Sequence, residues 1–82
     1  MYYLYIIECA DKSLYTGITT DLKRRVAEHN SASLAAKYTS SRRPVKLIFW
    51  RRFKNRSTAS KEEARVKGLK RSEKIALIGK KR

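Results

Sequence analysis

Arg25 is the residue whose position most directly asks for a chemical explanation. Leu22, Arg25, Val26 and His29 recur at i, i+3, i+4 and i+7, the spacing of one helical face, whereas Arg24 falls off that stripe. A guanidinium on an apolar face is costly unless it has a partner. Two arrangements meet that need: an arginine at the core's edge that snorkels or pairs with a carboxylate, or a planar fork that stabilises charge developing on a phosphodiester. His29, one turn further on, is in such a stripe ordinarily structural; in a site it would orient a tyrosine or touch phosphate.

Tyrosines and carboxylates are the other groups able to do chemistry. Five tyrosines in a basic chain ordinarily serve as core or stacking residues, but Tyr5 and Tyr15 would mean more if a fold brought them together. A metal-binding carboxylate must come from Glu8, Asp11, Asp21, Glu28, Glu62, Glu63 or Glu73. Glu62 and Glu63 border the apolar positions Ala59 and Val66 at i+3/i+4 and i−4/i−3, so helical spacing does not choose between them and, if anything, places Glu62 deeper. Glu63 can equally form an exposed i,i+4 pair with Lys67, contributing only about 0.3–0.5 kcal/mol.

The elements that must carry these groups are legible in outline. Tyr2 to Cys9 and Leu14 to Ile18 are aromatic and β-branched and flank Ala10-Asp11-Lys12, which reads as a β-hairpin. With a three-residue loop Cys9 would pair with Ser13, Ile7 with Tyr15 and Tyr5 with Gly17, leaving a notch beside the Tyr5 phenol where phosphate could approach. A two-residue loop would put the two tyrosines on opposite faces, since a one-residue slip inverts every side chain. Both registers stay open at this level.

Thr19, Thr20 and Asp21 are N-cap candidates for the helix bearing Arg25. Asn30 to Arg43 reads as a basic loop with at most one short turn, closed by Pro44, and Val45 to Phe53 as a third strand. Ser57 or Thr58 would cap a helix carrying Ala59, Val66 and Leu69, weakened near its end by Gly68. Ser72 would cap a last helix ending at Gly79 as its C′ residue, with residues 80–82 a frayed basic tail. The order is ββαβαα.

Composition bounds the answer. Eighty-two residues suffice for one domain, residues 1–82, with one modest core. Twenty-one Lys and Arg against seven Asp and Glu give a formal net charge of +14, and a polyanion binding through released counterions is its natural complement. Charge alone does not separate DNA from RNA. The single cysteine, Cys9, excludes an internal disulfide, no Cys/His spacing suggests zinc, and a reducing cytoplasm fits. The apolar Tyr2–Cys9 run is too short to span a membrane, lacks a basic leader and contains Glu8, so it reads as structure.

Taken in order, these motifs resemble the GIY-YIG nuclease domain, in particular its small stand-alone members, over nearly the whole chain. Tyr3-Leu4-Tyr5 stands for the first motif and Leu14-Tyr15-Thr16-Gly17-Ile18-Thr19 for the second. Arg25 through Asn30 follows, then Lys37-Tyr38-Thr39, then Ala59 with Glu63 and Lys67, then Lys74 with Leu77-Ile78. The resemblance implies an α+β fold, a three-stranded antiparallel β-sheet flanked by α-helices, with Tyr5 and Tyr15 on one face. It also selects Glu63 over Glu62 as the ligand of a divalent ion, Mg²⁺ or Mn²⁺. Tyr5 would be the base with Tyr15 assisting, Arg25 the phosphate clamp and His29 a fourth catalytic residue, while Gly17, Lys37, Tyr38 and Lys67 would contact DNA.

A phenol whose ordinary pKa is near ~10 is a poor base at neutral pH, so this mechanism requires a nearby cation or metal to depress it. The implied function is cleavage of single-stranded, branched or damaged DNA in repair or processing; the alternatives are a non-catalytic module binding DNA or RNA, and a basic scaffold protein. Tyr3 replaces the first motif's glycine and Thr16 the second motif's isoleucine, both strand-packing positions. The segment from Ser31 to Ala36 lacks the glycines often seen there.

Overall fold

The computed structural model describes residues 1–31 and 37–81, apart from the side chains of residues 37, 38, 80 and 81. Three strands, β1 (Tyr2–Glu8), β2 (Leu14–Thr19) and β3 (Lys46–Phe53), form one antiparallel sheet in the order β2-β1-β3. Four helices accompany it: α1 (Leu22–His29), α2 (Lys37–Ser40), α3 (Arg56–Lys67) and α4 (Arg71–Lys81). The expected order holds, with the four-residue α2 added inside the segment read as a loop. The fold is α+β.

The hairpin adopts the three-residue loop. Cys9 N–H donates to Ser13 O at 2.9 Å and Lys12 N–H to Cys9 O at 2.9 Å, while Lys12 takes the left-handed conformation (φ 72°) that such loops need before the second strand. The Asp11 carboxylate accepts from both the backbone and the hydroxyl of Ser13, which holds the turn in place. The resulting register pairs Tyr5 with Gly17 and Ile7 with Tyr15. Tyr5, Ile7, Tyr15 and Gly17 therefore share one face.

β1 is central, and Leu4, Tyr5, Ile6 and Ile7 are all buried because helices cover both faces. Leu4 and Ile6 pack with Phe49, with Val66 of α3 and with Leu77 and Ile78 of α4. On the opposite face Tyr5, Ile7, Cys9 and Val45 meet Leu22 and Val26 of α1. Thr16, opposite Ile6, lies on the α3 side and is 3% exposed, and its hydroxyl has no hydrogen-bond partner among the described residues. An apolar residue would suit that position better, because an unpaired buried hydroxyl costs about 1–3 kcal/mol.

Helix ends depart from the sequence reading in instructive ways. Of the three candidates before α1, Asp21 is the cap, accepting from Arg24 N–H at 3.0 Å. α3 is capped by Asn55 rather than Ser57 or Thr58: its Oδ1 accepts from Thr58 N–H and from Thr58 Oγ1, both at 2.9 Å. Asparagine caps as well as serine does, and it comes first after β3. α4 starts at Arg71, so Ser72 lies inside it, and the Lys70 N–H is satisfied by the Glu73 carboxylate at 2.8 Å. Gly79 lies within α4 and is not its C′ residue. Among the described residues no helix is long and apolar enough to cross a membrane.

Candidate active site

The hairpin register and the position of α1 bring three rings together. Centroid separations are 6.5 Å for Tyr5 and Tyr15, 5.7 Å for Tyr5 and His29, and 5.2 Å for Tyr15 and His29, the two contacts with His29 being edge-on. Gly17 makes room for this cluster: a Cβ there would stand 2.5 Å from the Tyr5 hydroxyl oxygen. The notch expected beside the phenol is thus filled by the Tyr5 ring itself, leaning over β2.

A continuous hydrogen-bonded chain runs through the cluster. Tyr5 Oη lies 2.8 Å from His29 Nε2, and His29 Nδ1 lies 2.8 Å from Thr39 Oγ1. His29 and Thr39 are 0% exposed and Tyr5 is 2% exposed. α1 delivers His29 from its last turn because the residue after it is fastened just ahead of β3: the Asn30 side chain donates to Val45 O at 3.1 Å and accepts from Val45 N–H at 2.7 Å. Thr39 reaches the ring from α2.

Electrostatics fix the protonation states. Burial, reinforced by the Arg25 cation and only partly offset by Glu28, pulls the His29 pKa down to about 4, so the imidazole is neutral at physiological pH. A neutral imidazole has one donor and one acceptor nitrogen. With Nδ1–H donating to Thr39, Nε2 accepts from the Tyr5 hydroxyl. Tyr5 itself is pushed up to about 12, chiefly by burial; the Arg25 hydrogen bond and charge act against the rise, while Tyr15 and Glu63 add to it. The cation expected to depress the phenol is therefore present, but burial outweighs it. In the metal-free chain the phenol is therefore protonated near neutrality.

His29 also sets a pH signature for stability. Its pKa is depressed on folding, so between about pH 4 and its ordinary 6.5 the unfolded chain binds more protons, and stability falls as pH falls through that window. From pH 8 to 5 the expected loss is about 2 kcal/mol. Glu62, held below the usual carboxylate range mainly by Arg65, adds its own loss only at lower pH. Urea midpoints taken between pH 8 and 5 should show this slope in the native chain and a flatter one in His29→Gln; equal slopes would remove His29 as its source.

Arg25 reaches the phenol from α1. Its guanidinium donates to Glu28 Oε1 at 2.9 Å and hydrogen-bonds Tyr5, and it is about one-quarter exposed. The carboxylate-paired arrangement weighed for it therefore occurs, and the same guanidinium also stands beside the Tyr5 phenol. Burial works against its charge, but the bonds to Glu28 and Tyr5 outweigh it and raise its pKa.

α3 separates the two candidate glutamates. Glu62 turns toward β3, accepting from Arg65 at 2.9 and 2.6 Å and from Arg51 at 3.4 Å. Glu63, unlike Glu62, is felt at Tyr5, where its charge adds to the rise of the phenol, and its ion pair is with the surface Lys67 at 3.3 Å. Glu62 is indeed the deeper of the two, with 16% against 22% of its side chain exposed, but it is engaged by two arginines.

Among the described residues no three His, Cys, Asp or Glu side chains converge. The candidate donors are one carboxylate, Glu63, whose charge is felt at Tyr5, and phenol oxygens, all hard, which suits Mg²⁺ or Mn²⁺; Mg²⁺ characteristically takes one or two carboxylates and fills its remaining positions with water and substrate phosphate. The residues present fit such an ion.

Tyr5, Tyr15, Gly17, Arg25 and His29 are thus brought together, with the charge of Glu63 reaching Tyr5 from α3 and Lys67 one turn further along that helix. The side chains of Lys37 and Tyr38 lie outside the described residues. Thr39 was not marked by sequence reasoning as part of this network; its only signal was its place in the third motif, because its contact with His29 is made through the fold.

Comparisons with known proteins give the family of the chain. Residues 1–76 match the model of the GIY-YIG catalytic domain. The chain is 50% identical over 76 residues to a UPF0213 protein of Syntrophus aciditrophicus, spanning 93% of this chain and 87% of that one. It is 49% identical over 78 residues to a UPF0213 protein of Halobacterium salinarum, spanning 95% and 100%. In three dimensions it is similar to the solution NMR structure of the UPF0213 protein BH0048 from Bacillus halodurans, with a TM-score of 0.62, 42% identity, and coverage of 96% of this chain and 84% of that one.

Proposed function

The chain belongs to the GIY-YIG catalytic-domain family, a family of nuclease type whose members are generally dependent on divalent metal, and from that premise we propose that it hydrolyses phosphodiester bonds in DNA. The observation that carries this reading is the buried Thr39–His29–Tyr5 chain, with Arg25 bonded to the same phenol and the charge of Glu63 felt there. Such a site, in a chain of net charge +14, suits single-stranded or branched DNA handled in repair or processing, in the cytoplasm.

Glu63 would hold the divalent ion, Mg²⁺ or Mn²⁺, which when bound supplies Lewis-acid stabilisation of the phosphate. The remaining work belongs to the chain's own side chains. Tyr5 receives the proton of the attacking water while passing its own hydroxyl proton to His29 Nε2, so no free phenolate forms despite a pKa near 12. Thr39 keeps His29 in the tautomer that can accept that proton. Arg25 holds the phosphate oxygens as negative charge grows on them, and Glu28 fixes the direction of its fork. Tyr15 packs edge-on to His29 and assists by keeping the ring cluster in place. Gly17, Lys37, Tyr38 and Lys67 would contact the DNA backbone.

The protein should cleave at least one of single-stranded, duplex or flap DNA in Mg²⁺ or Mn²⁺ and none of them in EDTA, read on denaturing gels. Intact substrate under every metal condition would defeat the nuclease reading. The Glu63–Lys67 ion pair supports a second reading, a non-catalytic module binding DNA or RNA, which the same assay separates by salt-sensitive binding without cleavage.

A further inference from the structure

The hairpin loop that fixes the register of Tyr5 and Tyr15 also holds a second segment of the chain. Ala10 N–H donates to Arg42 O at 2.9 Å, and Arg42 Nε donates to Asp11 Oδ2 at 3.1 Å. Arg42 N–H in turn donates to Thr39 O at 3.0 Å, closing the turn that follows α2. Further along, the Asn30 side chain bonds both the N–H and the carbonyl of Val45. The stretch from Thr39 to Val45 is thus pinned to the hairpin loop at Arg42 and to the end of α1 at Val45.

Thr39 is the residue of this stretch that meets the ring cluster: it is 0% exposed and its hydroxyl lies 2.8 Å from His29 Nδ1. An exposed ion pair between freely moving side chains contributes little. Asp11 and Arg42 are both partly exposed, but neither moves freely. The Asp11 carboxylate is fixed by the backbone N–H and the hydroxyl of Ser13, and the main chain of Arg42 is bonded on both sides, to Ala10 and to Thr39. The pair therefore joins two ordered pieces of backbone, and its geometry bears on where Thr39 stands.

Resting on the relay read at Tyr5 and His29, we infer that Arg42, held by Asp11, is a positioning residue for it. Through the turn it makes with Thr39 it keeps that hydroxyl against His29 Nδ1, and so keeps Nε2 as the nitrogen that accepts from Tyr5. The other use of a partly exposed arginine on so basic a chain is direct contact with a DNA phosphate. The two uses make opposite demands on Asp11: a positioning arginine needs its carboxylate, whereas a phosphate-binding arginine is partly neutralised by it.

His29 is the chain's one histidine, so the nitrogen NMR signals of a labelled imidazole report on this relay alone. Near neutral pH the wild-type ring should show a protonated Nδ1 and an unprotonated Nε2. Asp11→Asn keeps an acceptor for Ser13 but turns amide hydrogens toward Arg42, and Arg42→Gln removes the cation. In both, the ring signals should move toward a mixture of tautomers. Cleavage should fall about tenfold in kcat in either variant with KM near native, the double variant should be no worse than either, and Arg42→Lys should recover most of the rate. Thermal midpoints establish that the variants are folded. Native ring signals in Asp11→Asn, or weaker DNA binding in Arg42→Gln that Asp11→Asn does not share, would overturn the positioning role and leave the nuclease reading standing. Ring signals that shift as expected, in a protein whose wild type cleaves nothing in metal, would support the positioning role and overturn the nuclease reading instead.

Discussion

Glu63→Ala is expected to abolish metal-dependent cleavage, a loss of at least about a thousand-fold, while DNA binding stays close to that of the native chain. The expectation follows from the one-carboxylate donor set: Glu63 is the acidic side chain whose charge is felt at Tyr5, whereas the many Lys and Arg available to phosphate remain. The fold should be nearly unaffected, since the exposed Glu63–Lys67 pair contributes only about 0.3–0.5 kcal/mol. Glu62→Ala is the matched control. It removes bonds to Arg65 and Arg51 on the other side of α3, so it should cost a little stability and retain cleavage. Single-turnover cleavage in Mn²⁺ together with anisotropy of labelled DNA separates the two effects. Equal losses of activity in the two variants would defeat the assignment of the ion to Glu63.

Gly17→Ala is expected to have the second largest effect, and through a different physical cause. The new methyl group would stand 2.5 Å from Tyr5 Oη, 2.7 Å from Cζ and 3.1 Å from Cε2, well inside contact distance. Tyr5 cannot swing aside at little cost, because it is buried, its hydroxyl is bonded to His29, and its ring packs against Tyr15 and His29. Displacing the phenol breaks the Thr39–His29–Tyr5 chain at its reacting end. Cleavage should drop about a hundred-fold or more, and the overpacked core should lose about 1–3 kcal/mol. Differential scanning calorimetry and cleavage rates on one preparation test both parts; a variant with native melting and native turnover would show that the glycine is dispensable.

The two predictions differ in what they probe. Glu63→Ala tests a chemical role and should leave structure alone, whereas Gly17→Ala tests whether the ring cluster must be held in one geometry. Their combined outcome also bears on His29. If the proton relay is correct, Gly17→Ala should lose activity with its metal site unaltered.

Short-range physics made much of the fold legible without coordinates. The β-branched and aromatic runs around Ala10-Asp11-Lys12 specify a hairpin, and the Leu22/Arg25/Val26/His29 stripe specifies a helix presenting an arginine and a histidine to the sheet. Asp21 stood among the caps that local chemistry offers. Helix ends were less legible, as Asn55 and the Glu73 carboxylate took the places expected of serine and threonine, since several neighbouring side chains can satisfy the same N–H groups. Charge pointed to a polyanion, and the ordered motifs pointed to the family.

What only the tertiary structure decided are relations between residues far apart in the chain. Spacing left two hairpin registers open, and the left-handed Lys12 with its three-residue loop settles the one that puts Tyr5 and Tyr15 together. Spacing left Glu62 and Glu63 unresolved, and packing α3 on the sheet ties Glu62 to Arg51 and Arg65 while it is the charge of Glu63 that is felt at Tyr5. The contacts of His29 with Tyr5, 24 residues away, and with Thr39, 10 residues away, exist because α1 and α2 pack over the sheet. So does the burial that raises the phenol to about 12 and lowers the imidazole to about 4. Amino-acid type and period fix which groups are available and which face they take; desolvation and proton-sharing depend on distances that only the packed chain creates.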